Sequence, residues 1–371
     1  MSMILTLNGG SSSIKFALYQ RTGEQIEKIA GDKLEGGDQR ELTSRVVRWL
    51  ELHCKRVDIE SIGHRLVTGG NRYLEPAQIS PEMLSYLKEL QELDPDHLPR
   101  EIAFIETFAE QFPNRSQVAC FDTAFHSGMP RMAQIIPIPR HWEREGIRRY
   151  GFHGISYEFL LEELTRRSPE EAKGRVILAH LGSGSSLAAV RDGQSRDTSM
   201  GFTPTSGVAM STRSGDLDPS LAWYFGRRQK MTLEQFHAMV NRESGLLGIS
   251  QTSSDLRVLL EREGEDNRAA EAVSFFCYQI KKTIGAYSAV LEGLDTLVFS
   301  GGVGENIPAI RERICSGLNY LGVDLDPARN RNGESIISKG SSAVTVRVIR
   351  TDEENRIATE VARILNRKNG K

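Results

Sequence analysis

Two short stretches of glycine and serine carry the first chemical signal. The segment ILTLNGGSSSIKF, Ile4 to Phe16, sets two glycines and three serines between an apolar run and Lys15, and VILAHLGSGSSLAAV, Val176 to Val190, repeats the design. A turn of consecutive small residues bares its backbone N–H groups, which suits a polyanion lying across it. Phosphate binding is the leading reading, beside the plain alternative that any hairpin uses glycine and serine. A third stretch, DTLVFSGGVGEN from Asp295 to Asn306, leads from a strand toward a helix expected to begin near Ile307 and run through Arg313. Gly301, Gly302 and Gly304 there permit close backbone approach to a flat ligand or a phosphate, and a helix N-terminus favours anions. None of the three is a common nucleotide fingerprint. No GxxxxGK[ST] occurs, and neither hairpin turn has the strand-to-helix GxGxxG setting.

Several charged residues stand beside glycines or at the ends of apolar runs, where strands and turns have little structural use for them. Arg65 lies in SIGHRLVTGG, Asp122 in ACFDTAFH, His153 in YGFHG and Arg213 in MSTRSGDLDP. Taken singly, Arg65 and Arg213 also suit surface ion pairs, His153 and His180 satisfied core positions, and Asp122 a turn cap.

These residues need a scaffold that repeats. Met3 to Leu7 and Ser13 to Tyr19 read as strands joined by the first turn, and the second turn is flanked in the same way. Gly9 matches Gly182, and Ser12 and Ser13 match Ser185 and Ser186, all at one offset of 173 residues. This is the pattern of an internal duplication, one copy per domain. Gly154 to Arg167 predicts a helix with Ile155, Phe159, Leu160 and Leu164 inward. Ala269 to Leu291 predicts a long one with Val273, Phe276, Ile280, Ile284, Tyr287 and Leu291 on one face. Strands are expected before Gly63, Phe121, Gly182 and Gly301, so strands and helices alternate in an α/β arrangement. A chain of 371 residues exceeds the size of one hydrophobic core, and the domain boundary is expected near Arg148 to Gly151.

Bulk charge narrows the partners. With 47 basic and 49 acidic residues the formal net charge is −2, so no global field draws the chain to nucleic acid or to an anionic membrane. A small molecule is the expected partner. The four cysteines lie far apart without zinc or CxxC spacing, and neither a signal peptide nor a long apolar span is legible. Reduced thiols in a cytoplasmic protein are the expectation.

In order along the chain, NGGSSSIKF, FDTAFH, YGFHG, HLGSGSS, DTSMGFTP, TRSGDLDP, GGVGEN and the closing TDEENRIA, Thr351 to Ala358, resemble the motifs of the acetate kinase family, with its propionate and butyrate kinases. The resemblance implies an α/β fold: a duplicated actin-like architecture of the sugar-kinase and Hsp70 kind, two domains around a nucleotide cleft, assembled as a homodimer. An N-terminal domain, 1–148, would carry the acyl substrate, with the C-terminal helix 354–371 packed on it; a C-terminal domain, 149–353, would carry the nucleotide. The implied reaction is reversible transfer from ATP to a short carboxylate, giving an acyl phosphate and ADP, with Mg2+ or Mn2+. Arg65, Asp122, His153 and Arg213 would form the catalytic cluster, and Asn8 and Glu353 would hold the metal. Ser11, Ser13, Lys15, His180, Gly182 and Gly184 would contact phosphates. Asp255, Leu256, Arg257, Gly302, Val303 and Asn306 would hold the nucleoside, and Val67, Phe152 and Pro204 would wall the acyl tail.

Chemistry accounts for those residue types. A carboxylate acceptor, with a reference pKa of about 4, is already ionised at neutral pH and needs no general base. Two anions must approach each other, so positioning and positive charge carry the catalysis. Planar arginine forks meet that demand better than lysine. Arg65 is assigned to the acceptor, Arg213 to acceptor and γ-phosphate, His153 to a hydrogen bond on the transferring group, and Asp122 to a magnesium-bound water or an arginine. Several residues depart from the family pattern. Ser183 replaces the asparagine of HLGNG, Tyr157 a histidine, and Asp96 and Leu98 the leucine and asparagine of a segment near the acyl pocket. Asp96 is expected to face solvent or an arginine. A sugar or polyol kinase, with Asp122 as base, and an ATP-driven binding protein of the actin or Hsp70 type are the rival readings.

Overall fold

A computed structural model describes residues 2–9, 13–23, 25–55 and 58–369. The chain packs as two compact units, one of Met1–Ser127, Gly154–Phe159 and Asp352–Lys371, the other of Gly128–His153 and Leu160–Thr351. Residues 128–148 thus group with the second unit, whereas the sequence expectation kept them with the first.

The first unit is built on a six-stranded sheet. Strands β1 (Ser2–Gly9), β2 (Ser13–Thr22) and β3 (Gln25–Glu35) form an antiparallel meander. β4 (Ile59–Leu66) then lies parallel to β1, β6 (Ser116–Phe121) parallel to β4, and β5 (Ala77–Gln78) antiparallel to β6, in the order β3-β2-β1-β4-β6-β5. The central strands are apolar on both faces, as sheets covered twice require. One face packs Leu5, Leu7 and Phe16 against the helices Gln39–His53 and Leu98–Gln111 through Leu42, Val46, Phe104 and Phe108. The other packs Ile4, Ala17 and Tyr19 against Ile357, Ala358 and Val361 of the closing helix Glu353–Asn369.

Gly63 explains where Arg65 stands. The strand expected to end before this glycine continues through it to Leu66. A Cβ on Gly63 would come within 2.5 Å of Ile357 Cγ2 and 2.7 Å of Val361 Cγ2, so the glycine lets the closing helix lie directly on β4. Arg65 is therefore fixed on a strand, not on a loop.

The second unit repeats the plan. β7 (Arg175–Leu181), β8 (Ser185–Arg191) and β9 (Gln194–Thr198) form an antiparallel meander, and β10 (Thr296–Ser300) and β11 (Thr345–Val348) add parallel strands in the order β11-β10-β7-β8-β9. Read from β9, this is the connectivity of the first five positions of the other sheet, so the duplication seen in the two hairpins extends to the whole topology. The long helix forms at Asn267–Val290 and buries five of the six residues expected on its inner face, while the sixth, Leu291, is buried at its C-cap. The helix Gly154–Arg167 also forms, burying Ile155, Leu160 and Leu164 with Phe159 half-buried.

Candidate active site

In the first unit the site is organised around Arg65. Its Nε and Nη2 donate to Asp122 Oδ2 at 3.1 and 2.6 Å, and its Nη1 donates to the Gly9 carbonyl at 2.7 Å. The end of β1 thus anchors the arginine, which partly answers what the opening hairpin is for. Among the described residues three of the five guanidinium N–H groups are used, which leaves one on each terminal nitrogen to meet a carboxylate. Asp122 is itself fixed: its N–H donates to the Leu66 carbonyl at 2.9 Å, and its carbonyl accepts from Gly154 N at 2.9 Å. A Cβ on Gly154 would lie 2.1 Å from that carbonyl, so only glycine admits the contact. The surrounding carboxylates hold the Arg65 charge firmly, overriding the cost of burial and pushing its pKa up.

Sequence reasoning passed over Glu101, in the helix Leu98–Gln111. Its side chain is 4% exposed; Oε2 accepts from Val67 N at 2.9 Å, and Oε1 lies 3.9 Å from Arg65 Nη1. Burial pushes its carboxyl up to about 8, against the pull of Arg65 and of the Val67 N–H, with Asp94 and Asp122 adding repulsion.

A second carboxylate group gathers at Asn8. Its Nδ2 donates to Glu353 Oε2 at 2.7 Å and Glu354 Oε1 at 3.0 Å. Burial, then the neighbouring Glu353 charge, pushes the Glu354 carboxyl up. Glu354 was not anticipated, although it adjoins Glu353 in the closing motif. Two carboxylates crowded on one amide would be relieved by a divalent cation. Among the described residues no group of three or more His, Cys, Asp or Glu stands close enough to hold a metal by itself. The donor set therefore suits magnesium, which keeps several waters and takes substrate phosphate oxygens. Ser13 is half-buried and Lys15 exposed on β2, with Lys15 opposite Asn8 in register; Ser11 lies outside the described residues.

In the second unit, the His153 and His180 rings meet at a tilt of 37° with centroids 4.6 Å apart, and His153 Nδ1 lies 2.8 Å from Ser186 Oγ. His153 holds φ +59°, a left-handed backbone uncommon outside glycine and frequent at functional positions. Gly182 and Gly184 form the turn between β7 and β8, closed by a hydrogen bond of 3.0 Å from Gly182 N to the Gly184 carbonyl. A Cβ on Gly184 would stand 3.2 Å from His153 Nε2 and 3.7 Å from Arg213 Nη1, so both of these candidates converge on this turn. Arg213 Nη1 also donates to the Pro204 carbonyl at 3.4 Å, while Pro204 and Phe152 are buried. In the first unit Val67 is buried as well.

The GGVGEN segment departs from expectation. The helix begins at Gly301, directly after β10, runs Gly301–Asn306, and breaks at Ile307 before a second helix, Pro308–Cys315. Gly301 has φ +77°, and a Cβ there would lie 2.5 Å from the Leu181 carbonyl, whereas one on Gly302 would meet nothing within 4 Å. Glu305 Oε1 accepts from Gly301 N and Thr351 N at 2.9 and 3.1 Å, which fixes the turn, and Asn306 Nδ2 donates back to the Gly302 carbonyl at 2.9 Å. Val303 is half-buried against the unit's core. Asp255 caps the helix Leu256–Arg262 and pairs with Arg257 at 2.5 Å; the Leu256 side chain lies in the core, so it offers a ligand only its backbone.

The departures from the family pattern have structural places. Leu98 and Tyr157 are fully buried, the latter against Phe125 and His126, while Ser183 is exposed and Asp96 half-buried.

Known proteins resemble this chain along nearly its whole length. The model of the acetokinase family matches residues 27–359. The acetate kinase of Methylocella silvestris is 38% identical over 98% of this chain and 98% of that protein. The acetate kinase of Bacillus cytotoxicus is 40% identical over 99% of this chain and 100% of that protein. A propionate kinase from Francisella tularensis superposes with a TM-score of 0.88 at 36% identity, covering 97% of this chain and 99% of that one. Porphyromonas gingivalis acetate kinase gives 0.87 at 33% identity, covering 98% and 100%. On these matches, the chain belongs to the acetokinase family.

Proposed function

We propose that this chain is an ATP:acetate phosphotransferase, forming acetyl phosphate and ADP reversibly. The observation that carries the reading is Arg65, locked by Asp122 and the Gly9 carbonyl with one N–H left on each terminal nitrogen. The acceptor carboxylate docks on those two N–H groups already ionised, with its methyl toward Val67 of the same unit. One acetate oxygen attacks the γ-phosphorus in line as the bond to the β–γ bridging oxygen breaks, and the electron pair leaves with ADP. No proton has to be removed, so Asp122 serves to orient Arg65 and not as a base. Arg213 and His153 stabilise the charge that spreads over the transferring phosphoryl. In the second unit the turn at Gly182 and Gly184, with His180, receives phosphate oxygens, and Gly302, Val303, Asn306, Asp255, the Leu256 backbone and Arg257 border the nucleoside; in the first unit Ser13 and Lys15 are assigned to phosphate contacts of their own. Asn8 and Glu353 would hold a magnesium ion, which supplies charge neutralisation on the phosphates.

A homodimer belongs to the same proposal. The helix Ser220–Gln229 buries none of its residues, and Trp223 and Tyr224 on it are exposed together with Leu217 and Leu233 nearby, a face that a second copy would cover. No described helix is long and apolar enough to cross a membrane, and all four cysteines are unpaired, which supports a reducing cytoplasm. The neighbouring propionate kinase keeps propionate as the second reading. Kinase assays with acetate, propionate, butyrate and glycerol, trapping acyl phosphate with hydroxylamine, decide: acetate is expected to lead and butyrate to be poor. Phosphorylation of glycerol without hydroxamate would refute the assignment.

A further inference from the structure

Glu101 has no part in the mechanism above, yet it occupies an unusual position for a carboxyl group. It is buried, it holds the backbone N–H of Val67, and its Oε1 has no hydrogen-bond partner among the described residues. That oxygen lies 3.9 Å from Arg65 Nη1, too far for a direct hydrogen bond and on the arginine nitrogen that still has an N–H to give. The charged groups facing it are Arg65 from β4, Asp122 from the turn after β6, and Asp94 from the loop before its own helix. With Asp122 already paired to Arg65, an ionised Glu101 would add a further negative charge beside the arginine where an anionic acceptor has to bind. A neutral Glu101 instead carries an O–H donor.

We propose that Glu101 is a specificity-determining residue of the acceptor site: a neutral carboxylic acid whose Oε1–H hydrogen-bonds the acceptor carboxylate held by Arg65, and whose ionisation weakens that binding. The inference rests on the reading of Arg65 as the acceptor's anchor. It explains why a carboxyl is tolerated beside the Val67 wall, since in its neutral form it adds a donor for a monocarboxylate and no competing charge. Burial favours this form, moving the group's titration up to about 8. Acceptor affinity should then fall with alkaline pH, while the acetate itself stays fully ionised throughout.

The test is the acetate KM at saturating ATP and magnesium, measured on the whole protein at pH 7 and pH 9. For a site that binds acetate only with Glu101 neutral, KM is expected to rise about tenfold between those values, with kcat and the KM for ATP changing less than about twofold. In Glu101→Gln, which keeps a donor and cannot ionise, the acetate KM should change less than about twofold over the same range. A tenfold rise that persists in Glu101→Gln overturns the proposal. Calorimetry of acetate binding at pH 8, in two buffers of different ionisation enthalpy, gives a readout independent of turnover. About 0.5 proton should be taken up per acetate bound by the native protein and none by Glu101→Gln. Proton uptake without acyl phosphate formation would reject the kinase reading and leave Glu101 in place. Acyl phosphate formation with no uptake and a flat KM would reject Glu101 alone. Should Glu101→Gln fail to fold, absence of proton uptake by the native protein is sufficient to overturn the proposal.

Discussion

The hairpin β1–β2 and the hairpin β7–β8 have the same connectivity to the rest of their sheets but different chemical surroundings. Around the first stand Asp122, Glu101, Glu353 and Glu354, with Arg65 held among them. Around the second stand His153, His180, Ser186 and Arg213. A carboxylate-rich pocket with one locked arginine suits a metal ion and an ionised acceptor; a turn lined by histidine, arginine and small residues suits phosphates. The duplication thus supplied one scaffold twice, with different side-chain charge around each hairpin, and the proposed function assigns the two copies different work on that ground.

The largest effects should come from the two arginines. Arg65→Ala and Arg213→Ala are each expected to lower kcat/KM for acetate by at least about a hundredfold, or about 2.7 kcal/mol of transition-state stabilisation, with poor rescue by lysine. Near-native turnover in a folded variant would remove that residue from the site. Glu353→Ala should raise the magnesium concentration for half-maximal rate by about tenfold while leaving metal-free nucleotide binding unchanged, because only the first hairpin's surroundings are assigned to the ion. An unaltered magnesium titration would break that division.

The second copy offers a sharper pair. Gly302→Val should weaken ATP binding by about tenfold with little loss of thermal stability, since its side chain would enter open space where the nucleoside is proposed to bind. Gly301→Ala should instead destabilise the fold by about 2 kcal/mol, because it forces a left-handed φ and a clash with the Leu181 carbonyl. Thermal melts and nucleotide titrations of both variants separate the two roles, and equal melting points would contradict this reading of the turn.

These glycines also mark how far the sequence could be read. The hairpins, the long helix and the repeat were legible because strand alternation, small-residue turns and a 3.6-residue apolar stripe are local signals. The helix Gly301–Asn306 was not: three glycines and an asparagine oppose helix formation, and tertiary contacts through Glu305 and Leu181 override that preference. The strand through Gly63 was misjudged for a related reason, since the helix that packs on it lies nearly 300 residues away. Glu101 gave no signal at all. An acidic residue in the first turn of a helix reads as an exposed partner of the helix dipole, and only the packing of that helix on β4 buries it. Asn8 and Glu353 were reached by family resemblance alone, because spacing cannot pair residues so distant in the chain.

Asp96→Leu should have the smallest effect. The side chain is half-buried at the surface of the loop that precedes the Leu98–Gln111 helix, and its replacement is expected to change kcat/KM for acetate by less than about threefold. An improvement of tenfold or more would place the aspartate in the acyl pocket.

The division of labour itself is tested most directly by the steady-state kinetics of Arg65→Ala, with acetate and ATP varied in turn. If Arg65 of the first copy anchors the acceptor and takes no part in holding the nucleotide, the acetate KM rises at least about tenfold while the KM for ATP stays within about twofold of the native value. A variant whose ATP KM rises instead, with acetate unaffected, would contradict the account.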